Sequence, residues 1–131
     1  MFSLTILTYK GLYAEMECNS VNLPTPDGRW GILPNRMPIM VPIEIGIMQV
    51  RTNAGEKRYT VDGGMFYFEN NKATLLLEEI EDVENIDIER ARKAQQKAEE
   101  RMRNARTEYD INRARIALQK ALNRIKATEG Y

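Results

Sequence analysis

Residues 65–77 read MFYFENNKATLLL, with two runs of aromatic and aliphatic side chains on either side of Asn70-Asn71. Aromatic and branched residues favour strands, and asparagine tolerates the positive backbone angles of a tight turn. The stretch therefore predicts a β-hairpin with arms over 65–69 and 73–77. A lone hairpin is not stable in water, so further strands are expected to pack with it.

Short strand-like runs recur on the N-terminal side of this hairpin. The first alternates apolar and polar residues from Phe2 to Ile6. Others are predicted between turn residues, over 15–23, 43–51 and 57–61. Pro24 terminates the first of these. Seven or more short strands are typical of an antiparallel β-sandwich or flattened barrel. We expect this fold in residues 1–84.

The C-terminal part has a helical composition. No glycine or proline lies between Met65 and Glu129, and apolar residues recur there at intervals of three and four. This spacing predicts two helices, with Asp87 and Asp110 as N-terminal caps and a turn near Glu108. An antiparallel hairpin over 85–131 would pair Ala91 with Ile125, Ala94 with Leu122, Ala98 with Leu118, Met102 with Ala114 and Ala105 with Ile111. The predicted fold class is β+α.

Composition excludes several function classes. The 131 residues contain 19 Lys+Arg and 19 Asp+Glu, which argues against a cationic nucleic-acid binder. Without histidine, no Ser-His or Cys-His pair and no His-containing zinc site can form. Cys18 is the only cysteine, so no intrachain disulfide is expected and it is predicted to be a small buried residue. Pro38, Pro42 and Glu44 interrupt the most apolar stretch, so neither a membrane span nor a leader is predicted.

Basic residues of the predicted hairpin form the first candidate site. Residues 1–84 hold 7 basic and 12 acidic side chains, whereas residues 85–131 hold 12 and 7. The hairpin pairing brings four cations together beside Asp87: Arg90, Lys97, Lys120 and Arg124. Clustered cations suit a polyphosphate. A solvated basic face is the alternative.

Three further features have competing interpretations. Trp30, between Arg29 and Arg36 on a Gly- and Pro-rich loop, could anchor a partner or fold over the core. The acidic run over 78–84 could supply an acid–base pair but favours an acidic connector between the domains. Gly63-Gly64 is predicted to form a turn or bulge and not a phosphate-binding loop.

Three stretches together carry a family resemblance: LPTPDGRWGILPNRMP at 23–38, VDGGMFYFENNKATLLLEE at 61–79 and IDIERA at 86–91. With them the chain resembles epsilon subunits of rotary F-type ATP synthases over nearly its whole length. The resemblance implies a ten-stranded flattened barrel whose lower loops touch the membrane ring and whose side binds the gamma subunit. It also implies a mobile C-terminal helix pair.

The resemblance further implies an ATP site between the helices. Family members that bind ATP use the motif Ile/Leu-Asp-x-x-Arg-Ala and two basic residues of the last helix. Ile86, Asp87, Arg90 and Ala91 correspond to the motif, and Lys120 and Arg124 to the two basic residues. Glu81 matches an acidic contact, and Lys97 matches a further basic position of the site. Lysine stands at 97 and 120 where arginine is typical, and lysine lacks the bidentate fork. Arg29 replaces a usually acidic residue, and Arg36 a usual histidine, in the loop expected to bind partners.

The implied function is that of a non-catalytic rotor subunit that needs no cofactor and restrains ATP hydrolysis through its helices, with ATP as a regulatory ligand. Its implied partners are gamma, the ring of c subunits and, when the helices extend, the alpha and beta subunits. The implied location is the cytoplasmic face of a bacterial plasma membrane, without insertion; the stromal face of a chloroplast thylakoid is the alternative. The coupling ion could be proton or sodium. Competing hypotheses are a purely structural rotor subunit, an unrelated adaptor and an enzyme using the acidic run.

Overall fold

A computed structural model describes residues 1–129 of the chain. The chain divides into two compact units, the first spanning Met1–Asp82 and the second beginning at Val83. The first unit contains the strands and the second contains the helices. The predicted β+α organisation is confirmed.

Eight strands of the first unit form one continuous mixed sheet that folds into an open sandwich. The strand order is β2-β1-β7-β6-β5-β3-β4, and β8 pairs with β6. The pair β1–β7 is parallel and the other pairs are antiparallel, so the purely antiparallel expectation is corrected at this one junction. The described strands number eight, against the ten implied by the resemblance: β1 (Phe2–Thr8), β2 (Gly11–Cys18), β3 (Ser20–Thr25), β4 (Gly28–Ile32), β5 (Ile39–Thr52), β6 (Gly55–Glu69), β7 (Lys72–Leu77) and β8 (Ile80–Asp82).

Alternating apolar residues build the core of the sandwich. Phe2, Leu4 and Ile6 of β1 are buried while the residues between them are half-buried, as the period-two pattern predicts. Phe2 packs edge-on against Phe68 with ring centroids 5.3 Å apart, in the arrangement that aromatic rings prefer. Cys18 is buried in this core, as predicted, and burial raises the pKa of its thiol to about 11.

The central hairpin is confirmed, but the strands around it differ from the expectation. Asn70 and Asn71 turn with φ of 51° and 58° between β6 and β7. The runs 57–61 and 65–69 are parts of one strand, β6, because positive φ at Gly63 and Gly64 lets the chain pass through 62–64 without turning. The predicted strand 15–23 is two strands, because the chain bends at Asn19, whose backbone N–H donates to Arg51 O at 2.7 Å.

Two helices follow a short 3-10 turn at Val83–Asn85: α1 (Ile88–Asn104) and α2 (Glu108–Thr128). Asp87 caps α1 as predicted, since its side chain accepts a hydrogen bond from Arg90 N. The cap of α2 is Thr107, whose Oγ1 accepts from Asp110 N at 3.1 Å, and not Asp110 itself. The helix thus begins three residues earlier than expected, because Thr107 already provides an N-cap oxygen.

The buried residues of the two helices are alanines and not the larger apolar residues. Predicted members Ala91, Ala98 and Ala114 are buried, and Ala121, which the pairing missed, is buried as well. Predicted members Ala94, Ile111 and Leu122 are exposed instead. Alanines seven residues apart on each helix let the backbones approach closely, and a larger side chain then remains at the flank. Among the described residues, no helix is both long and apolar enough to span a bilayer.

Thr107→Ala is expected to destabilise the helical unit by ~1 kcal/mol, because it removes the cap oxygen from the first turn of α2. Thermal unfolding followed by the helical circular dichroism signal measures the effect. Asp110→Ala is the matched control, since Asp110 contributes only a favourable charge in the first turn. A larger loss for Asp110→Ala than for Thr107→Ala would show that the cap is misassigned.

Candidate functional site

The start of α1 holds the four residues of the predicted motif. Ile86 N donates to Val83 O at 3.3 Å, and Asp87 accepts from Arg90 N at 3.2 Å. Ala91 is buried in the interhelical face, whereas the side chain of Arg90 is exposed. Asp87 and Ala91 thus have structural roles in this helix, and Arg90 presents a cation beside them.

The remaining cations of the predicted site occupy both helices. Lys97 is exposed and lies seven residues after Arg90, which places the two on the same side of α1. Lys120 and Arg124 are half-buried and lie one turn apart on α2. Arg124 also has an interaction within the chain. Each helix therefore carries two of the four cations on one side.

A depression of about 360 Å³ lies near the turn between the helices. Lys97 is the only predicted site residue that lines it, and the two carboxylates Glu100 and Asp110 lie on its wall with Arg101 and Asn104. Its lining contains two basic and two acidic side chains. The depression therefore differs in charge from the predicted cluster of four cations beside one carboxylate.

Glu81 belongs to the first unit, where it pairs with Thr60 in the β6–β8 ladder. The acidic run is therefore only partly a connector, because residues 80–82 form a strand. Asp82 forms an ion pair with Lys57 at 3.1 Å.

Next to that ion pair stand two tyrosines that the sequence analysis did not single out. Tyr13 and Tyr59 come from β2 and β6, and their rings meet edge-on with centroids 6.3 Å apart. Burial, more than any charge, raises the pKa of both phenols. No short-range sequence signal brings β2 to β6, so only the fold reveals this cluster.

The segment around Trp30 is the second candidate site, and it is an edge strand and not a loop. Residues 28–32 form β4 at the end of the sheet, because Gly28, with φ of 108°, permits a tight turn after Pro26-Asp27. Trp30 is partly buried and packs against the core. Arg29 donates to Asn22 Oδ1 at 2.5 Å and to Ile47 O at 2.7 Å, and desolvation lowers the pKa of its guanidinium.

The loop after β4 is fixed by a reciprocal pair of asparagines. Asn35 N donates to Asn71 Oδ1 at 2.6 Å, and Asn71 Nδ2 donates back to Asn35 Oδ1 at 2.7 Å. Arg36, the next residue, donates to Met37 O at the long distance of 3.4 Å. Leu33 and Met37 remain 63% and 79% exposed on this anchored loop. Large exposed apolar side chains on an ordered loop are typical of a protein contact.

An eight-stranded sandwich followed by two long helices defines a class of small two-unit chains. Two family profiles match in that order: "ATP synthase, Delta/Epsilon chain, beta-sandwich domain" at residues 1–83 and "ATP synthase, Delta/Epsilon chain, long alpha-helix domain" at residues 84–129. The chain belongs to the ATP synthase delta/epsilon chain family, and curated proteins named epsilon chain are among its relatives.

Two of these relatives align with almost the whole chain. The ATP synthase epsilon chain of Desulforamulus reducens is 36% identical over 126 residues, which are 96% of each protein. The epsilon chain of Caldicellulosiruptor bescii is 35% identical over 128 residues, covering 98% of this chain and 93% of the relative.

Solved structures share the fold at lower identity. A chain in the Euglena gracilis mitochondrial ATP synthase superposes with a TM-score of 0.81 at 21% identity, covering 92% of this chain and 76% of that one. A chain of the Tetrahymena thermophila central stalk and ring gives a TM-score of 0.67 at 16% identity, with 96% and 95% covered. The sandwich-plus-helices architecture is thus shared with these chains.

Proposed function

We propose that this chain is a non-catalytic central-stalk subunit that couples the shaft of an ATP synthase to its membrane ring. The observation that carries the proposal is the match of both units, in order and over residues 1–129, to one family. The fold is shared with chains from rotor assemblies, which include an F1 and c-ring complex. The proposed location is the cytoplasmic face of a bacterial plasma membrane.

The proposed docking surface for the gamma subunit and the ring of c subunits is the edge formed by β4 and the loop after it. This surface offers the exposed side chains of Leu33 and Met37, with Arg36 between them in sequence. Apolar anchors flanked by a charge can combine affinity with orientation. The Asn35–Asn71 pair holds the loop in place before a partner arrives.

The proposed role of the helical unit is to restrain ATP hydrolysis and to release it when ATP binds. The contact between α1 and α2 is lined mainly by alanine, and each buried methyl group contributes only ~0.8 kcal/mol. The two helices carry four cations of the predicted site, Arg90 and Lys97 on α1 and Lys120 and Arg124 on α2, and an anion bound between the helices would be attracted to all of them. ATP would favour the closed hairpin for this reason.

A purely structural rotor subunit without nucleotide binding is the second candidate. One observation favours it: Lys97 lines a depression that contains two carboxylates, and the other three predicted cations do not line it. Lysine at 97 and 120 also supplies charge without a bidentate fork.

Equilibrium binding of ATP to the isolated chain separates the two candidates. Arg90→Ala and Arg124→Ala are each expected to raise the dissociation constant at least tenfold, because a charge-assisted hydrogen bond contributes ~1.5–3 kcal/mol. Calorimetric titration measures the change. Arg103→Ala is the matched control, since Arg103 is an exposed arginine of α1 outside the cluster. Unchanged affinity in both test variants would refute the nucleotide site and leave the structural role.

A further inference from the structure

The pairing between β3 and β5 ends part-way along both strands. Their pairing runs from Ser20 with Arg51 to Asn22 with Gln49 and then stops. Continued by two residues, the same register would place Pro24 opposite Ile47. Proline has no N–H, so Pro24 cannot donate the hydrogen bond that Ile47 O would receive from an ordinary strand residue.

The two strands nevertheless stay close beyond the point where their ladder ends. Pro24 is buried, and its ring lies so near Gly46 that a Cβ on Gly46 would be 2.6 Å from Pro24 Cβ. The close approach leaves no room for a side chain at position 46 between the two strands. A donor side chain from another strand can instead reach Ile47 O.

Arg29 is that donor. It stands opposite Pro24 in the β3–β4 register, and its Nη2 donates to Ile47 O at 2.7 Å. Its Nε donates to Asn22 Oδ1 at 2.5 Å, which directs the guanidinium back along β3. One side chain of the edge strand thus connects β4, β3 and β5.

We propose that Arg29 is a positioning residue, which supplies the hydrogen bond that Pro24 cannot and thereby fixes the orientation of β4 and Trp30 for partner binding. The inference rests on the proposed function for the identity of the partner. The Asn35–Asn71 pair anchors the far end of the same segment. Residues 28–37 are therefore held at both ends before a partner arrives, which lowers the entropic cost of docking.

Amide hydrogen exchange in the free chain tests the clamp. Arg29→Ala is expected to speed exchange of the β3 and β4 amides at least tenfold, because Ile47 O then loses the Arg29 donor and β3, with β4 paired to it, is held to β5 only by the pairs from Ser20 to Asn22. Pro24→Ala restores a backbone N–H and retains the Cβ near Gly46. The double variant Pro24→Ala/Arg29→Ala should therefore exchange within threefold of wild type. Slow exchange in Arg29→Ala, or fast exchange in the double variant, would overturn the clamp.

Binding to the shaft-and-ring assembly depleted of this subunit tests the positioning role. Arg29→Ala should bind at least tenfold more weakly, and the double variant should regain wild-type affinity within threefold although it has no guanidinium. A double variant with restored exchange but weak binding would show that Arg29 touches the partner directly, which overturns the inference. A wild-type chain that fails to bind would instead refute the proposed function, so the two failures are distinguishable.

Discussion

Gly64→Ala is expected to lower the free energy of unfolding of the sandwich by about 2–6 kcal/mol. Gly64 has φ of 148°, where an L-residue is strained by ~1–3 kcal/mol. An added Cβ would also collide with the backbone carbonyl of Leu76 and lie 2.9 Å from Leu77 Cα. Moving β7 away to make room costs a further ~1–3 kcal/mol. Such a loss is a large share of the ~5–15 kcal/mol that stabilises a typical domain.

Thermal denaturation measures this loss, with an expected fall in Tm on the order of 20 °C. Two control variants separate strain from collision. Gly63→Ala shares the positive φ, but its Cβ would meet nothing closer than 3.7 Å, so only the strain should appear. At Gly31 a Cβ would have no neighbour within 4 Å, and alanine should be nearly neutral there. Equal Tm values for Gly63→Ala and Gly64→Ala would contradict the collision.

Strands were predictable where local chemistry determined them. The Asn70-Asn71 turn needs only positive φ, which asparagine tolerates, and its flanking residues are aromatic and aliphatic types common in strands. The double glycine at 63–64 resembles a turn in sequence, yet it lies inside β6, at the point where the pairing of β6 passes from β7 to β8. Whether glycine serves a turn or a close backbone approach depends on the neighbouring strand. That neighbour is not visible in the local sequence.

The helical unit shows a similar division. The Asp87 cap followed from local chemistry, because an aspartate directly before a helical pattern provides the required oxygen. The exposure of Ile111 and Leu122 did not, because hydrophobicity alone favours burying the larger residues. The spacing of Ala91 with Ala98 and of Ala114 with Ala121 determines the contact, since it sets how closely the backbones approach.

The role of Arg29 was the least predictable feature of the candidate sites. In sequence, an arginine next to a tryptophan on a Gly- and Pro-rich segment suggests a partner contact, and this stays a prediction. The hydrogen bond to Ile47 depends on a residue that cannot donate, Pro24, and on a strand 18 positions further along the chain. A pattern of apolar and polar residues does not show where a hydrogen-bond donor is missing. Only the three-dimensional register shows that Ile47 O lacks a backbone donor from β3.

Truncation after Asp82 is expected to give the largest functional effect, a several-fold rise in ATP hydrolysis by the assembled enzyme. The buried hydrophobic cluster of the sandwich lies entirely within residues 2–77, with Ile80 packed against it, so the truncated chain should still fold and assemble. Hydrolysis assays on enzyme reconstituted with full-length or truncated chain measure the effect. Cooperative melting of the truncated chain and its retention in the complex are the necessary controls.

The physical reason for the expected rise is that truncation removes the basic element of the chain. Residues 85–131 carry 12 basic and 7 acidic side chains, and Ile111, Ile116 and Leu122 of α2 are more than 40% exposed. A helix with apolar and cationic surface can bind acidic partner helices and oppose rotation. If ATP closes the hairpin, a ligand at ~100 times its dissociation constant shifts the balance by ~2.7 kcal/mol, and the truncated enzyme should lose this response. A truncated chain that folds, assembles and leaves hydrolysis unchanged would contradict the regulatory role, while the docking role of the sandwich would stand.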